Sequence, residues 1–376
     1  MFDHLGFQRW PFTVVPEPEN CDFIADRKQL REDIEKLLRN LSRQNTSSIH
    51  PIWSWFGAGK THALHYISFR ASQLQKEGKS KLRTIYTEFP RNPSSFIDVY
   101  KSFAFKLNKE QLVEMYLEIY TSPNSEKSEQ KLRNFYPDLL NALNSLAIGE
   151  SADQEIVMRW LRAEPVKISD CRKVGISKKI STSEESSRLL NALVRVFSIS
   201  SNPENQNNSR LIWLIDELQR IDRVSPRIQD EINTGLHSTF NSSPSGLSLI
   251  LSFSGKPGKT LPAWLSPELK DRIGRTKVMI LPPLKMDDAL KFIRDVLANA
   301  RAPRYSNIDV YFPFTEESCR HIIQDIEEKD ELKPRAIMQS FNAVLAEADP
   351  KIENNEMDVI TPGFAKNILS DLIQLD

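Results

Sequence analysis

Residues 52–61 read Ile-Trp-Ser-Trp-Phe-Gly-Ala-Gly-Lys-Thr, an apolar run that breaks into a glycine-spaced turn closed by a lysine and a hydroxyl. Few local patterns constrain a fold so tightly. The glycines let successive backbone N–H groups point at one centre without side-chain interference, which makes an anion cradle. Such a turn needs a buried strand before it and a helix after it, because the helix's positive end adds to the anion site. Residues 49–53 supply the strand. Thr61–Gln75 supplies the helix, with Leu64, Ile67 and Leu74 as its apolar side. The full pattern is Gly-x4-Gly-Lys-[Ser/Thr], and Ser54 stands where its first glycine would be. A small side chain is tolerated there if its φ is negative. Ser54, Trp55, Phe56, Gly57, Ala58, Gly59, Lys60, Thr61 and His62 form the expected binding set for a nucleoside triphosphate. Lys60 is expected on the β- and γ-phosphates and the Thr61 hydroxyl on Mg²⁺. Trp53 and Trp55 are expected to pack under the loop or against a neighbour.

Residues 211–217, Leu-Ile-Trp-Leu-Ile-Asp-Glu, are an apolar strand that ends in two carboxylates. The strand delivers Asp216 outside the carboxyl edge of a sheet, where ligands of α/β proteins bind. Alone, such an aspartate would be a helix cap. Beside a phosphate loop it is the expected Mg²⁺ partner, and Glu217 the expected base that polarises the attacking water. Together the patterns predict ATP-Mg²⁺ binding and hydrolysis, with the carboxylates facing the loop across one crevice.

Strands also read at Leu82–Phe89, Leu247–Phe253 and Lys277–Leu281. Helices read from Asp26 to about Ser42 and over Pro226–Phe240. Beyond Asp287 the pattern is wholly helical, over Asp287–Ala300, Glu316–Glu327, Pro334–Ala348 and Pro362–Leu375. Between Pro90 and Asn208 lie three amphipathic faces: Phe96, Val99, Tyr100, Phe103 and Leu107; Leu139, Leu143 and Leu146; Leu189, Leu190, Leu193, Val196 and Phe197. The Ser/Asn-rich stretch Ser198–Ser209 reads as a loop. The expected architecture is α/β: a P-loop NTPase parallel sheet with flanking helices, a long helical insertion and a small C-terminal helical lid. Its expected divisions are a lead-in and first helix at 1–45, an ATPase core at 46–284 with the insertion at about 91–209, and a lid at 285–376.

Composition narrows the setting. The 50 basic and 50 acidic residues cancel, so no global field points to nucleic acid, although basic runs at Lys76–Arg83 and Arg172–Lys179 could meet phosphates. Three cysteines, at 21, 171 and 319, lie in neither metal-ligand nor redox spacing. The opening Met-Phe-Asp-His-Leu-Gly has neither the basic nor the apolar region of a secretory signal, and no apolar run would span a bilayer. A cytoplasmic protein with no membrane partner is the expectation.

The order of parts resembles the AAA+ ATPases, within the branch related to origin-recognition initiators, ExeA-type ATPases and TniB/TnsC transposition regulators. The likeness is carried by Trp10-Pro11-Phe12, by Phe23-Ile24-Ala25-Asp26-Arg27-Lys28-Gln29-Leu30, by Leu281-Pro282-Pro283-Leu284 and by Pro334-Arg335, and covers most of 1–90 and 210–376. The middle segment, Arg159-Trp160-Leu161-Arg162-Ala163-Glu164-Pro165 and then Arg172-Lys173-Val174-Gly175-Ile176, is similar to bacterial ATP-binding proteins, some of phage-exclusion (BREX-type) systems.

In ring-forming ATPases the strand after the acidic one carries a polar residue that orients the lytic water. Ser254 and Ser252 are the candidates here, with Ser254 preferred. Arg272, with Arg275 in reserve, is placed to reach a neighbouring subunit's γ-phosphate as an arginine finger. Arg335, at the start of a lid helix, is expected to read the γ-phosphate. The resemblance implies self-assembly into a homo-oligomer, contact with double-stranded DNA and recruitment of a protein effector, in a defence or mobile-element system. A non-catalytic ATP sensor that regulates a partner is the alternative.

Overall fold

A computed structural model describes residues 2–13, 15, 21–25, 27–121, 125–198, 209–274 and 277–371. Asp26, Arg275, most of the Ser198–Ser209 loop and the expected helix end at Leu375 lie outside the described residues. By compactness the chain divides into two units.

The larger unit, Asp33–Trp53 with Ile67–Ile280, holds the sheet. Its strands are β1 (Ser48–Ser54, whose last residue falls to the other unit), β2 (Lys81–Glu88), β3 (Ser209–Asp216), β4 (Leu247–Ser254) and β5 (Met279–Ile280), in the order β2-β3-β4-β1-β5. The pairings β1 with β5, β2 with β3 and β3 with β4 are parallel. All five expected strands are present. Every residue of β3 is buried, and so is β4 through Phe253, which is why Leu211–Ile215 reads as an unbroken apolar run and β4 is apolar apart from its serines. Thus β4 lies between the strand that leads into the glycine turn and the strand that carries the carboxylates.

Helix α1 (Lys28–Arg43) precedes β1, and α2 (Lys60–Lys76) lies between β1 and β2 in sequence. The insertion after β2 is seven helices: α3 (Phe96–Ala104), α4 (Lys109–Thr121), α5 (Ser125–Phe135), α6 (Pro137–Ile148), α7 (Ser151–Leu161), α8 (Ile168–Lys173) and α9 (Ser183–Phe197). The three amphipathic faces are all buried, in one core continuous with the sheet. The Phe103 ring meets the Trp213 indole of β3 edge-on, with centroids 5.1 Å apart. Thr182 and Glu185 form a reciprocal capping box at the start of α9. The unit closes with α10 (Pro226–Asn241) and α11 (Pro267–Ile273). Gly235 of α10 lies so close to the Phe96 ring that a Cβ would sit 2.3 Å from it, so only glycine fits.

At the amino edge of the sheet, Arg210 is fully buried and donates to the Ser248 hydroxyl (2.6 Å) and to the carbonyls of Thr46 (2.9 Å) and Leu247 (3.4 Å). Burial lowers its pKa to about 10. His50 bonds the Ser48 hydroxyl at 2.9 Å, and burial, then the Arg210 charge, lowers its pKa to about 4. Between pH 6.5 and 4 the unfolded chain therefore binds a proton at this histidine that the folded chain refuses. Its contribution is complete above pH 6.5 and is lost as pH falls towards 4, up to about 3 kcal/mol before solvent access is allowed for. Urea midpoints measured from pH 7 to pH 4 are expected to fall less steeply in His50→Gln than in the parent. Equal slopes would remove His50 as the cause.

The smaller unit joins Met1–Glu32, Ser54–Tyr66 and Leu281–Asp376. Its helices are α12 (Met286–Ala300), α13 (Glu316–Lys329), α14 (Pro334–Glu353) and α15 (Pro362–Asp371), close to the expected four. Their core takes in Leu5, Phe7 and Phe12 from the amino-terminal segment, and the Phe12 ring lies 5.5 Å from that of Phe341. The Trp10 indole donates to Asn342 at 2.7 Å and His4 meets Asp349 at 2.6 Å. No helix among the described residues is long and apolar enough to cross a membrane.

Candidate nucleotide site

The glycine turn has the backbone that its sequence demands. Gly57 and Gly59 have φ of +75° and +91°, conformations that cost a side-chain-bearing residue about 1–2 kcal/mol. Ser54 ends β1 as a strand residue, outside the positive-φ set, so its hydroxymethyl group is accommodated where the pattern has glycine. Its hydroxyl donates to the Leu281 carbonyl. A Cβ built on Gly59 meets nothing within 4 Å, so the turn is open on that side. Lys60 is the first residue of α2 and is 5% exposed; its Nζ donates to the carbonyls of Trp55 (2.7 Å) and Ser54 (3.2 Å) and lies 5.9 Å from the Phe56 ring centroid. Thr61 follows in the first turn, where N–H groups have no intrahelical acceptor. Positive-φ glycines, an open face and a buried ammonium at a helix start suit a phosphate chain.

Arg335 lies in the first turn of α14, and its N–H donates to the Gly57 carbonyl at 3.2 Å. Its side chain is exposed. A methyl at Gly57 would come 3.1 Å from the Arg335 Cβ. Gly57→Ala combines that close contact with a disfavoured φ, and it is expected to weaken nucleotide affinity roughly tenfold. Titration with a fluorescent ATP analogue checks this, and unchanged affinity would show that the turn relaxes freely. His62 is directed elsewhere than the turn: Nε2 meets the Phe23 carbonyl at 2.6 Å and Nδ1 the Cys21 sulfur at 3.5 Å. Burial lowers its pKa, so the ring is neutral at physiological pH. It ties the start of α2 to the lead-in, a contact between distant stretches that no local pattern signals.

In the larger unit, the carboxyl ends of β2, β3 and β4 gather polar groups on one edge. Asp216 is 1% exposed. Its Oδ1 accepts from the Ser252 hydroxyl at 2.8 Å and from the Glu217 N–H at 2.9 Å, and its Oδ2 from the Tyr86 hydroxyl at 3.2 Å. Burial and the Asp216 charge push the Tyr86 phenol well above its ordinary pKa, so it stays a donor. Glu217 has φ +58°, and its Oε2 accepts from Gln219 at 3.0 Å with Arg220 at 3.6 Å. Among the two serine candidates, the structure brings Ser252 to the carboxylate. Ser254 ends β4, and its N–H donates to Gln219 Oε1 at 2.8 Å. Sequence reasoning missed Tyr86 and Gln219; the parallel register that sets Glu88 beside Asp216 brings the β2 face to this edge, and it is not a local signal. Trp53 is buried against Phe253, with 5.6 Å between centroids. Arg272 is exposed in the last turn of α11, and Arg275 lies outside the described residues.

No protein-family model and no curated protein matches this chain. Solved structures do. The ORC1 protein of Aeropyrum pernix in complex with DNA shares 12% identity at a TM-score of 0.54, over 96% of this chain and 69% of that one. The A. pernix ORC2 protein, in ADPNP-ADP complexes, shares 14% at 0.54, over 94% and 71%. Drosophila ORC bound to DNA shares 10% at 0.50, over 96% and 66%. The fold is AAA+. At these identities the likeness carries architecture alone, and it agrees with the parallel sheet, its flanking helices and the helical carboxyl-terminal part.

Proposed function

We propose that this AAA+ protein binds ATP with Mg²⁺ and hydrolyses it as a conformational switch, assembling with copies of itself and acting on double-stranded DNA or a protein effector. The observation that carries this reading is the turn itself: Gly57 and Gly59 at positive φ, one face open, and Lys60 buried at the head of α2. When bound, ATP-Mg²⁺ would supply the phosphoryl group transferred to water and the metal charge that eases it. Lys60 would neutralise phosphate charge and Thr61 would offer its hydroxyl to the metal. Asp216, which accepts from the Ser252 and Tyr86 hydroxyls, would join the metal's shell. Glu217 polarises the water once its carboxylate leaves Gln219. Ser252 is the better placed of the two serines to order that water, because Asp216 already fixes its hydroxyl. Arg335 is proposed to report the γ-phosphate to α14, and Arg272 to reach a neighbouring copy.

DNA enters from what the neighbours are bound to, the mobile-element setting from the resemblance of the chain's ends to TniB/TnsC regulators, and the defence setting from that of the middle segment. A second reading, a nucleotide sensor without turnover, is favoured by one contact: Glu217 sits 3.6 Å from Arg220, which also meets Glu88 at 3.3 Å. Steady-state phosphate release with and without duplex DNA separates the two. Turnover supports the switch, while tight ATP binding with no turnover under either condition supports the sensor. Mass photometry in ADP and in a non-hydrolysable ATP analogue reads assembly directly.

A further inference from the structure

We propose that the turn between α8 and α9 is a preformed seat for the phosphate backbone of duplex DNA. The proposal rests on the DNA-directed reading above and locates its surface. Residues 172–179, Arg-Lys-Val-Gly-Ile-Ser-Lys-Lys, expose Arg172, Lys173, Lys178 and Lys179, while Val174 and Ile176 are buried beneath them. Lys173 is 3.2 Å from Asp170; the other three cations form no ion pair among the described residues. Of the two acids in the first turn of α9, Glu184 is exposed and Glu185 is occupied by the N–H groups of Ser181 and Thr182.

What separates this run from an ordinary solvated charge cluster is how rigidly its backbone is held. Asp138, 9% exposed, accepts from the Ser177 N–H (3.0 Å), the Ser177 hydroxyl (2.9 Å) and the Lys178 N–H (3.2 Å) through one oxygen. The buried Trp160 indole donates to the Lys178 carbonyl at 2.8 Å, and Asn141 donates to the Gly175 carbonyl at 2.7 Å. Gly175 takes φ +72° and passes close to Asn141, so the bend is fixed. The two short motifs singled out in the middle segment are thus one device, in which the tryptophan of the first clamps the basic turn of the second. A buried carboxylate fixes backbone that presents cations outward, so little conformational entropy is lost on binding.

The occupant follows from the chemistry on show. The turn's apolar residues face inward, leaving nothing to insert into a bilayer and no anchor for a peptide. Clustered lysine and arginine without apolar relief suit sequence-independent phosphate contact. The test is fluorescence anisotropy of a labelled duplex of about 40 base pairs, titrated across a salt series. The full-length protein is compared with a triple Gln variant (Arg172→Gln, Lys178→Gln, Lys179→Gln) and with a control that removes equal charge from α1 (Lys36→Gln, Arg39→Gln, Arg43→Gln). The turn variant is expected to bind at least about 30-fold more weakly, with the salt slope reduced by about 2 to 3, and the control to bind like the parent. ATP affinity and thermal midpoint are read in parallel and are expected to be unchanged. Equal losses in turn and control variants would overturn the seat while leaving DNA binding in place. No duplex binding by the parent would overturn both, leaving ATP binding to stand or fall by its own titration. Tighter binding of polyaspartate or of phosphatidylserine vesicles, lost in the turn variant, would reassign the surface to a protein or a membrane.

Discussion

Lys60→Ala is expected to abolish measurable ATP binding at micromolar nucleotide. The Nζ is buried at the head of α2 and donates to two loop carbonyls. A phosphate is a stronger partner for an ammonium than a carbonyl is, because it brings a full opposite charge to a poorly solvated place. Removing one member of such a buried charge pair costs about 2–5 kcal/mol, or roughly 30- to 5,000-fold in Kd. The fold itself should tolerate the change. Alanine is a strong helix former at this position, and the lost carbonyl bonds are offset by no longer burying an ammonium. Isothermal titration with ATP, beside a thermal melt, separates the effects. Loss of binding with a midpoint within a few degrees of the parent is the expected result, and retained tight binding would dismiss the turn as the phosphate site.

Much of this was legible before any coordinates, and the reasons are specific. The two central strands announced themselves because β3 and β4 are buried on both faces: Leu211–Ile215 is wholly apolar up to Asp216, and β4 is apolar apart from its serines up to Gly255. Gly57 and Gly59 marked the turn because no other residue enters those φ values cheaply. What stayed hidden depends on register or on distant chain. Ser252 and Ser254 project to the same side of β4, so alternation cannot choose between them; depth along the strand does, and that follows from β4 pairing Leu251 with Ile215. His62 reads as the next residue of a binding loop, yet its ring belongs to Phe23 and Cys21. The insertion showed three apolar faces, whereas α5 is mostly polar and gave no signal of the helical stack that joins the sheet core.

Glu217→Gln should leave ATP affinity within about threefold of the parent and lower turnover about 100- to 1,000-fold, the scale of a lost general base. Glutamine preserves the size of the side chain and can keep a bond with Gln219, while giving up the carboxylate that accepts a proton. The residue's position makes the test sharp. With φ +58° it sits at a bend directly after the buried Asp216, and Gln219 joins it to the Ser254 backbone through separate amide atoms. A substitution that merely disturbed this edge would also loosen Asp216, so metal-dependent binding would weaken together with the rate. A fall in the rate of phosphate release alone, with Mg²⁺-dependent ATP affinity retained, therefore assigns the proton-accepting role to Glu217. Turnover close to that of the parent would move that role to another group, and equal losses in rate and affinity would make Glu217 a support for its neighbour. The Arg220 contact adds a further arm. Arg220→Ala frees the Glu217 carboxylate from a guanidinium 3.6 Å away, and if that ion pair restrains the base, turnover should rise about two- to tenfold in single-turnover kinetics. The same substitution in the Glu217→Gln background should then change nothing.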